Sequence, residues 1–361
     1  MYCEKGYIEE MDIQYSEMNE ITIDGRKIGS VHPPFVIAEI GINHEGSIDK
    51  AMKMIDDASI AGCECVKFQS HIVEEEMVPN DIVPKNAEES IWDIINRCSL
   101  KSEEEETLKE YTESKGMIFL STPFSCAAAE RLKNLDVDAY KIGSGECNNY
   151  PLVEHIASFK KPIILSTGMN NLSSIARSVA ILHKYSVPYA LLHCTSIYPT
   201  PYDKVRLGAL KELQEAFPDA VLGLSDHSLS NYPCLGAVSL GASILERHFT
   251  SDKSWPGPDI PISMDPKELQ ELINGSNAIY QALGGSKEIL EEEKPTIDFA
   301  YASVVTIRSV KKGEPFTKEN IWVKRPGNGE ILVKKFEEVL CKTAKVDIVK
   351  DVQLTYSMIN E

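Results

Sequence analysis

The nine cysteines form no CxxC pair, so neither a zinc-type cluster nor a thiol redox motif can be drawn through them. Cys63 and Cys65 stand one residue apart at a strand-like segment, and their side chains are expected to point the same way. The others are scattered, which argues for reduced, partly buried thiols in a cytoplasmic protein rather than a disulfide framework. Basic residues are also short. The 37 Lys and Arg face 55 Asp and Glu, a formal net charge of -18. Nucleic acid and anionic membrane are poor partners for such a chain. An anionic substrate is not excluded, because charges more than about 8 Å away are largely screened at physiological salt and a few local cations can dominate a pocket. No apolar run is long enough to span a bilayer. The acidic start, MYCEKGYIEEMDIQYSEMNE, lacks the apolar centre of a secretory signal, and residues 1–18 are expected to be largely disordered.

What is present is an ordinary globular composition, 43% hydrophobic and 25% charged, over 361 residues. That length suits one large core plus a small second domain. From residue 35 onward, apolar runs alternate with helix-period segments at roughly thirty-residue intervals. The runs are FVIAEIG, CVKFQS, MIFLSTP, AYKIGSG, PIILSTG, YALLHCTS, AVLGLSDH and SILERHFT. Eight strand-then-helix units predict a (β/α)8 TIM barrel over residues 35–285. Before it, EITIDGRKIGSVHPP predicts a hairpin with an Asp-Gly turn that caps the barrel bottom, within an amino-terminal extension of residues 1–34. After it, SKEILEEEKPTIDF reads as a charged, extended linker over residues 286–301, and residues 302–361 as a small, loop-rich domain.

Polar residues interrupt those runs at one end only. Glu39, Lys67, Gln69, Thr122, Lys141 and Ser144 fall in the second half of a strand or just past it. So do Glu146, Ser166, Ser196, Ser225, His227 and His248. In a barrel these positions converge on the mouth where such enzymes place their chemistry, whereas purely structural polar residues would be spread over both ends.

His227 and His248 close the last two strands, so their rings can share one ligand. A divalent metal held by two imidazoles keeps positions open for a substrate oxygen; a hydrogen-bonding pair, or one general base, is the competing reading. Lys67 and Lys141 end the second and fourth strands. Two ammonium groups pointing into one barrel repel unless an anion sits between them, and with the hydroxyls of Thr122, Ser144, Ser166 and Ser225 they form a cradle for a phosphate plus a carboxylate. Pairing with Glu39 or Glu146 would suit one lysine better than both.

At these residues the chain resembles bacterial N-acetylneuraminate (sialic acid) synthases of the phosphoenolpyruvate-condensing nonulosonate synthase family. The matching runs are EIGINHEGS, VKFQSHIVEEEM, ESKGMIFLSTPFS, YKIGSGECNNYPL, KPIILSTGMN, YPTPY, GLSDH, ILERHFT, GPDI and WVKRPGNG. The resemblance runs from about residue 20 to the end, and the terminal domain resembles that family's antifreeze-like (SAF) module. It implies a metal, usually Mn2+ with Mg2+ or Co2+ as alternatives, on His227 and His248. It implies phosphoenolpyruvate on Lys67, Thr122, Lys141, Ser144, Ser166 and Ser225, with Ser196 beside them. Gln69, Tyr198, Asp259, Phe299 and Arg325 would face open-chain N-acetylmannosamine, with Arg325 supplied by the partner in a domain-swapped homodimer. Glu39 and Glu146 would be the mouth carboxylates, and Glu146 the base for an attacking water.

Three positions depart from the family pattern. Ser196 stands where an asparagine is usual, Phe68 where a histidine is, and SWPGPDIPISM differs around Asp259. Phe68 is expected to point away from the mouth. The nearest rival therefore keeps the mechanism and changes the acceptor, as in a legionaminic or pseudaminic acid synthase acting on a diacetamido-trideoxyhexose. An aldolase acting on sugar phosphates would need a second anion site. A non-catalytic sugar- or ice-binding protein would have no use for two lysines, two histidines and two glutamates at one mouth.

Overall fold

The computed structural model describes residues 19–360, so the expectation for residues 1–18 lies outside the described part. The chain divides after Gly284 into two compact units. The first opens with strands β1 (Glu20–Ile23) and β2 (Arg26–Gly29), paired antiparallel. Asp24 and Gly25 both take positive φ, 45° and 74°, the left-handed backbone a tight hairpin turn requires. Ile21, Ile23 and Ile28 are buried against the lower interior of the barrel and plug it.

Eight parallel strands follow: β3 (Phe35–Gly41), β4 (Cys65–Ser70), β5 (Ile118–Pro123), β6 (Tyr140–Ile142), β7 (Ile163–Ser166), β8 (Tyr189–Cys194), β9 (Val221–Asp226) and β10 (Ile244–His248). They are hydrogen-bonded in the order β5-β4-β3-β10-β9-β8-β7-β6, and β5 and β6 lie side by side to close the ring. This is the expected (β/α)8 barrel, with all eight strands where the apolar runs place them.

Strand alternation sorts the side chains. Residues such as Val66, Phe119, Leu191 and Leu245 face outward into the layer shared with the helices. Phe68 does the same, its ring stacked on Phe119 at 5.6 Å, as expected for a residue turned from the mouth. Inward-facing Ile37, Cys65, Ile118, Ala139, Ile164 and Ile244 fill the lower barrel. Cys63 precedes β4 and packs in the outer layer, while Cys65 faces the interior. The two thiols therefore do not point the same way, because the turn before β4 breaks the alternation. All eight cysteines among the described residues are free.

The helices carry the outer layer. The helix Pro266–Ala282 starts on an Asp265/Glu268 capping box with proline in its first turn, satisfying amide donors that the helix leaves unpaired. The helix Ser102–Ser114 buries Glu105, which lies 3.4 Å from Arg131 with one carboxylate oxygen lacking a partner. Burial pushes this carboxyl up to about 7. A folded-state value above the unfolded one means stability present below about pH 4.5 and lost as pH rises through 7, worth ~3 kcal/mol at most. The Glu105→Gln variant is expected to resist denaturant better than wild type at pH 8, with the gap closing by pH 4. Equal stability at both pH values would contradict this.

The second unit runs from Gly285. Here the structure corrects the extended linker: Glu291–Glu293 forms a 3-10 turn and Lys294–Ala300 a helix. Pro295 suits the first helical turn, and the preceding glutamates complement the positive end of the helix dipole. Beyond it, β11 (Ser303–Thr306) and β12 (Ile321–Lys324) pair antiparallel. Val304, Phe316, Ile321, Ile331, Phe336 and Ile348 contribute to the unit's own core.

Candidate active site

The alternation that fills the lower barrel with apolar side chains continues upward into charge. Two residues above Ile37 is Glu39, above Cys65 is Lys67, above Ala139 is Lys141, above Ile164 is Ser166, and above Ile244 come Glu246 and His248. These side chains enter one cavity of about 550 Å3 at the carboxy-terminal ends of the strands.

At its floor, Lys67 Nζ lies 2.6 Å from Glu39 Oε2 and 3.9 Å from Glu246 Oε2, and donates to Thr122 Oγ1 at 3.1 Å. Lys141 Nζ donates to Ser166 Oγ at 2.7 Å and lies 3.7 Å from Glu246 Oε1. Ser225 Oγ donates to the same Glu246 oxygen at 2.9 Å. Burial works against the charge of Glu246, but Lys141 and Lys67 outweigh it and hold the carboxyl below its usual range. Burial would likewise lower Lys67, yet Glu246 and Glu39 raise it. Among the described residues Lys141 has Glu246 alone as a carboxylate within 4 Å, and burial leaves its ammonium lowered.

Both lysines thus have carboxylates beside them, so an anion of the chain itself lies between the two ammonium groups. The bridging group is Glu246, a residue the sequence reading passed over inside SILERHFT. The period-two step from Ile244 to His248 marks it as inward-facing.

Above the floor, Ser144 and Ser196 gather where Gly168 has no side chain. A Cβ there would sit 2.5 Å from Ser196 Oγ and 2.8 Å from Ser144 Oγ, and the Gly168 N–H donates to Ser144 Oγ at 3.0 Å. Glu146, in the turn after β6, lines the same cavity; burial, and then the charge of Glu76, push it up to about 7.

His227 and His248 have ring centroids 5.4 Å apart. The Nδ1 of His227 bonds the Thr195 carbonyl at 3.0 Å, which fixes the ring. Tyr198 lies over that ring at 4.1 Å. His248 Nδ1 is buried without a hydrogen-bond partner, 3.7 Å from Asp259 Oδ2. Burial raises Asp259 to about 6. Among the described residues no three His, Cys, Asp or Glu side chains could by themselves hold an ion. Two imidazoles, an unpartnered ring nitrogen and a nearby carboxylate nevertheless fit a divalent metal that takes its remaining ligands from water or substrate.

A second feature absent from the sequence reading is a hydrogen-bonded chain along the rim. His71 Nδ1 lies 2.9 Å from Glu76, its Nε2 3.0 Å from Gln69 Oε1, and Gln69 Nε2 donates to Glu39 at 3.1 Å. Phe124 stacks on His71 at 4.4 Å. His71 is again two residues beyond an inward-facing side chain, Gln69. Of the residues singled out by sequence, only Phe299 and Arg325 stand in the second unit, on the helix Lys294–Ala300 and just after β12.

The barrel carries a charged pocket at the strand ends, where (β/α)8 enzymes place their chemistry. The chain belongs to the NeuB family, whose model matches residues 54–288, and residues 301–360 match the SAF domain. It is 36% identical to an N,N'-diacetyllegionaminic acid synthase of Campylobacter jejuni, over 88% of this chain and 97% of that protein. It is 33% identical to the N-acetylneuraminate-9-phosphate synthase of Homo sapiens, over 83% and 85% of the two chains. The crystal structure of the sialic acid synthetase of Leptospira borgpetersenii superposes with a TM-score of 0.71 at 35% identity, covering 78% of this chain and 95% of that one. No helix among the described residues is long and apolar enough to cross a membrane.

Proposed function

We propose that this enzyme condenses phosphoenolpyruvate with an open-chain N-acetylated amino sugar and water, giving a nine-carbon 2-keto sugar acid and phosphate. The observation that carries the reading is the buried floor, where two ammonium groups and a ring of hydroxyls face one cavity. Lys67 and Lys141, with Thr122, Ser144, Ser166 and Ser225, bind the phosphate and carboxylate of phosphoenolpyruvate, which competes with Glu246 for both ammoniums. Ser196 adds a hydroxyl where the family pattern has an amide. His227 and His248, with Asp259 beside them, would hold a divalent metal such as Mn2+, which when bound polarises the sugar aldehyde toward attack. Gln69, Tyr198 and Asp259 orient that sugar. C3 of phosphoenolpyruvate attacks the aldehyde carbon, and the aldehyde oxygen takes up one proton to become a hydroxyl, which balances the proton the attacking water gives up. The positive charge left at C2 is quenched by that water. Glu146 accepts that water's proton, a role suited to a carboxyl near 7. Phosphate then leaves by C–O cleavage, with the lysines stabilising the departing charge.

N-acetylmannosamine and a diacetamido-trideoxyhexose both satisfy this scheme and differ only along the sugar's tail. The test is release of inorganic phosphate from phosphoenolpyruvate. It is expected only when an N-acetylated amino sugar is added. Release driven only by sugar phosphates that carry no acetamido group would favour the aldolase class and refute the reading.

The active form is a domain-swapped homodimer in the same proposal, with Phe299 and Arg325 of one chain serving the mouth of its partner. Its support is an apolar rim on three adjacent loops, after β7, β8 and β9, where Met169, Ile197, Tyr202, Leu229 and Tyr232 are all exposed. A rim of large apolar side chains needs a cover. Glu146→Gln and Arg325→Ala, each impaired alone, are expected to recover about a quarter of wild-type activity after subunit exchange, because half the dimers are mixed and each has one intact mouth. No recovery after verified exchange would mean that Arg325 serves its own barrel.

A further inference from the structure

The cavity above the charged floor is not polar all round. Ile42, Ile91, Ile94 and Ile95, with Met77 and Pro84, line it on the side of the loops that follow β3 and β4. Ile42, Ile94 and Ile95 belong to a separate apolar cluster that also holds Val73 and Cys98, and Met77 and Ile91 pack against it, so the wall is braced by its own packing. Ile94 and Ile95 come from one face of the helix Ile91–Cys98, which starts at Ser90, where the Ser90 hydroxyl accepts the Asp93 N–H.

The polar side chains of the same connection turn their hydrogen bonds toward other parts of the protein. Glu76 is bound to His71, and Gln69 is held between His71 and Glu39. Asn86 Nδ2 donates to the Pro258 carbonyl at 3.1 Å. Asp259 faces His248 instead. A hydroxyl pressed against the isoleucines of this wall would lose its water to side chains that offer no hydrogen bond in return, whereas a methyl group would gain contact.

We propose that this aliphatic wall makes the preferred acceptor a diacetamido-trideoxyhexose rather than N-acetylmannosamine. The inference rests on the function proposed above and sharpens it. The trideoxy sugar ends in a methyl where N-acetylmannosamine ends in a hydroxymethyl, and it carries a second acetamido methyl where the other carries a hydroxyl. The first change replaces a hydroxyl the wall rejects with a methyl it accepts; the second offers the wall a further methyl, on an amide whose N–H and C=O must point away from it. Pockets built from aliphatic side chains discriminate by about tenfold or more per such group, so the two changes together give a readable selectivity.

The experiment measures kcat/KM for both acceptors at saturating phosphoenolpyruvate on the full-length wild-type protein, with phosphate release as the signal. The expected result is a preference of at least about tenfold for the diacetamido-trideoxyhexose. Turnover with an equal or better value for N-acetylmannosamine overturns the inference and leaves the synthase reading standing. No phosphate release with either acceptor overturns both. The Ile91→Ser variant, at a half-buried position, localises the effect. Its ratio between acceptors is expected to fall several-fold while its melting temperature stays near that of wild type. An unchanged ratio would remove the wall from the explanation.

Discussion

Lys141→Met lowers kcat/KM for phosphoenolpyruvate by about two to three orders of magnitude, the range seen when one preorganised donor to a developing anion is removed. It also lowers thermal stability, because Lys141 is one of the two ammoniums beside Glu246, which is buried at the floor of the cavity. Breaking a buried pair strands charge at a cost of up to about 3–5 kcal/mol, part of which Lys67, still 3.9 Å from the same carboxyl group, offsets. The two losses separate in a double variant. Adding Glu246→Gln to Lys141→Met removes the stranded charge and keeps an acceptor for the Ser225 hydroxyl, so stability returns toward wild type. Activity does not return, since the floor still has one ammonium fewer for the phosphate. Parallel measurements of melting temperature and of phosphate release decide it. A single variant as stable as wild type, or a double variant that regains turnover, would show that Glu246 and Lys141 are not coupled as described.

That coupling marks what the sequence conveys and what it leaves hidden. Alternation along each strand is a local property. It is why Lys67, Lys141, Ser166, Ser225 and His248 could be placed at one mouth before any coordinates. Glu246 obeys the same alternation, standing between Leu245 and Arg247 and facing inward like His248. Its role as a bridge depends on Lys67 and Lys141, which reach it from across the barrel, and long-range pairing has no local signal.

The linker shows the opposite failure. The run EEEK was read as extended because of its charge, although Pro295 and the glutamates before it are helix-start signals. The aliphatic wall was missed for another reason. The helix Ile91–Cys98 has an ordinary amphipathic pattern, and nothing in that pattern distinguishes an apolar face turned to the core from one turned partly to a substrate.

Protein freed of metal by a chelator is expected to be inactive with every acceptor and to recover on addition of Mn2+ or another divalent ion. The expectation follows from the two rings at the mouth. His227 is fixed by the Thr195 carbonyl, and His248 carries a buried ring nitrogen that no protein group satisfies. A buried, unpartnered ring nitrogen needs an explanation, and a metal with its water or substrate ligands supplies one. His227→Ala and His248→Ala each remove one of only two imidazole ligands. Each is expected to weaken Mn2+ binding, measured by calorimetry, by about a hundredfold or more, since even residues that merely orient a ligand are worth ten- to a hundredfold. Turnover falls in parallel, with little change in fold, because both rings sit at the open mouth above the strands' apolar packing. The direct binding measurement distinguishes a metal site from a general base. If His227→Ala loses activity but binds Mn2+ as tightly as wild type, the ring acts on a proton. If the chelated protein keeps full turnover, the aldehyde must be activated by the protein's own donors, and the two-histidine site has another purpose.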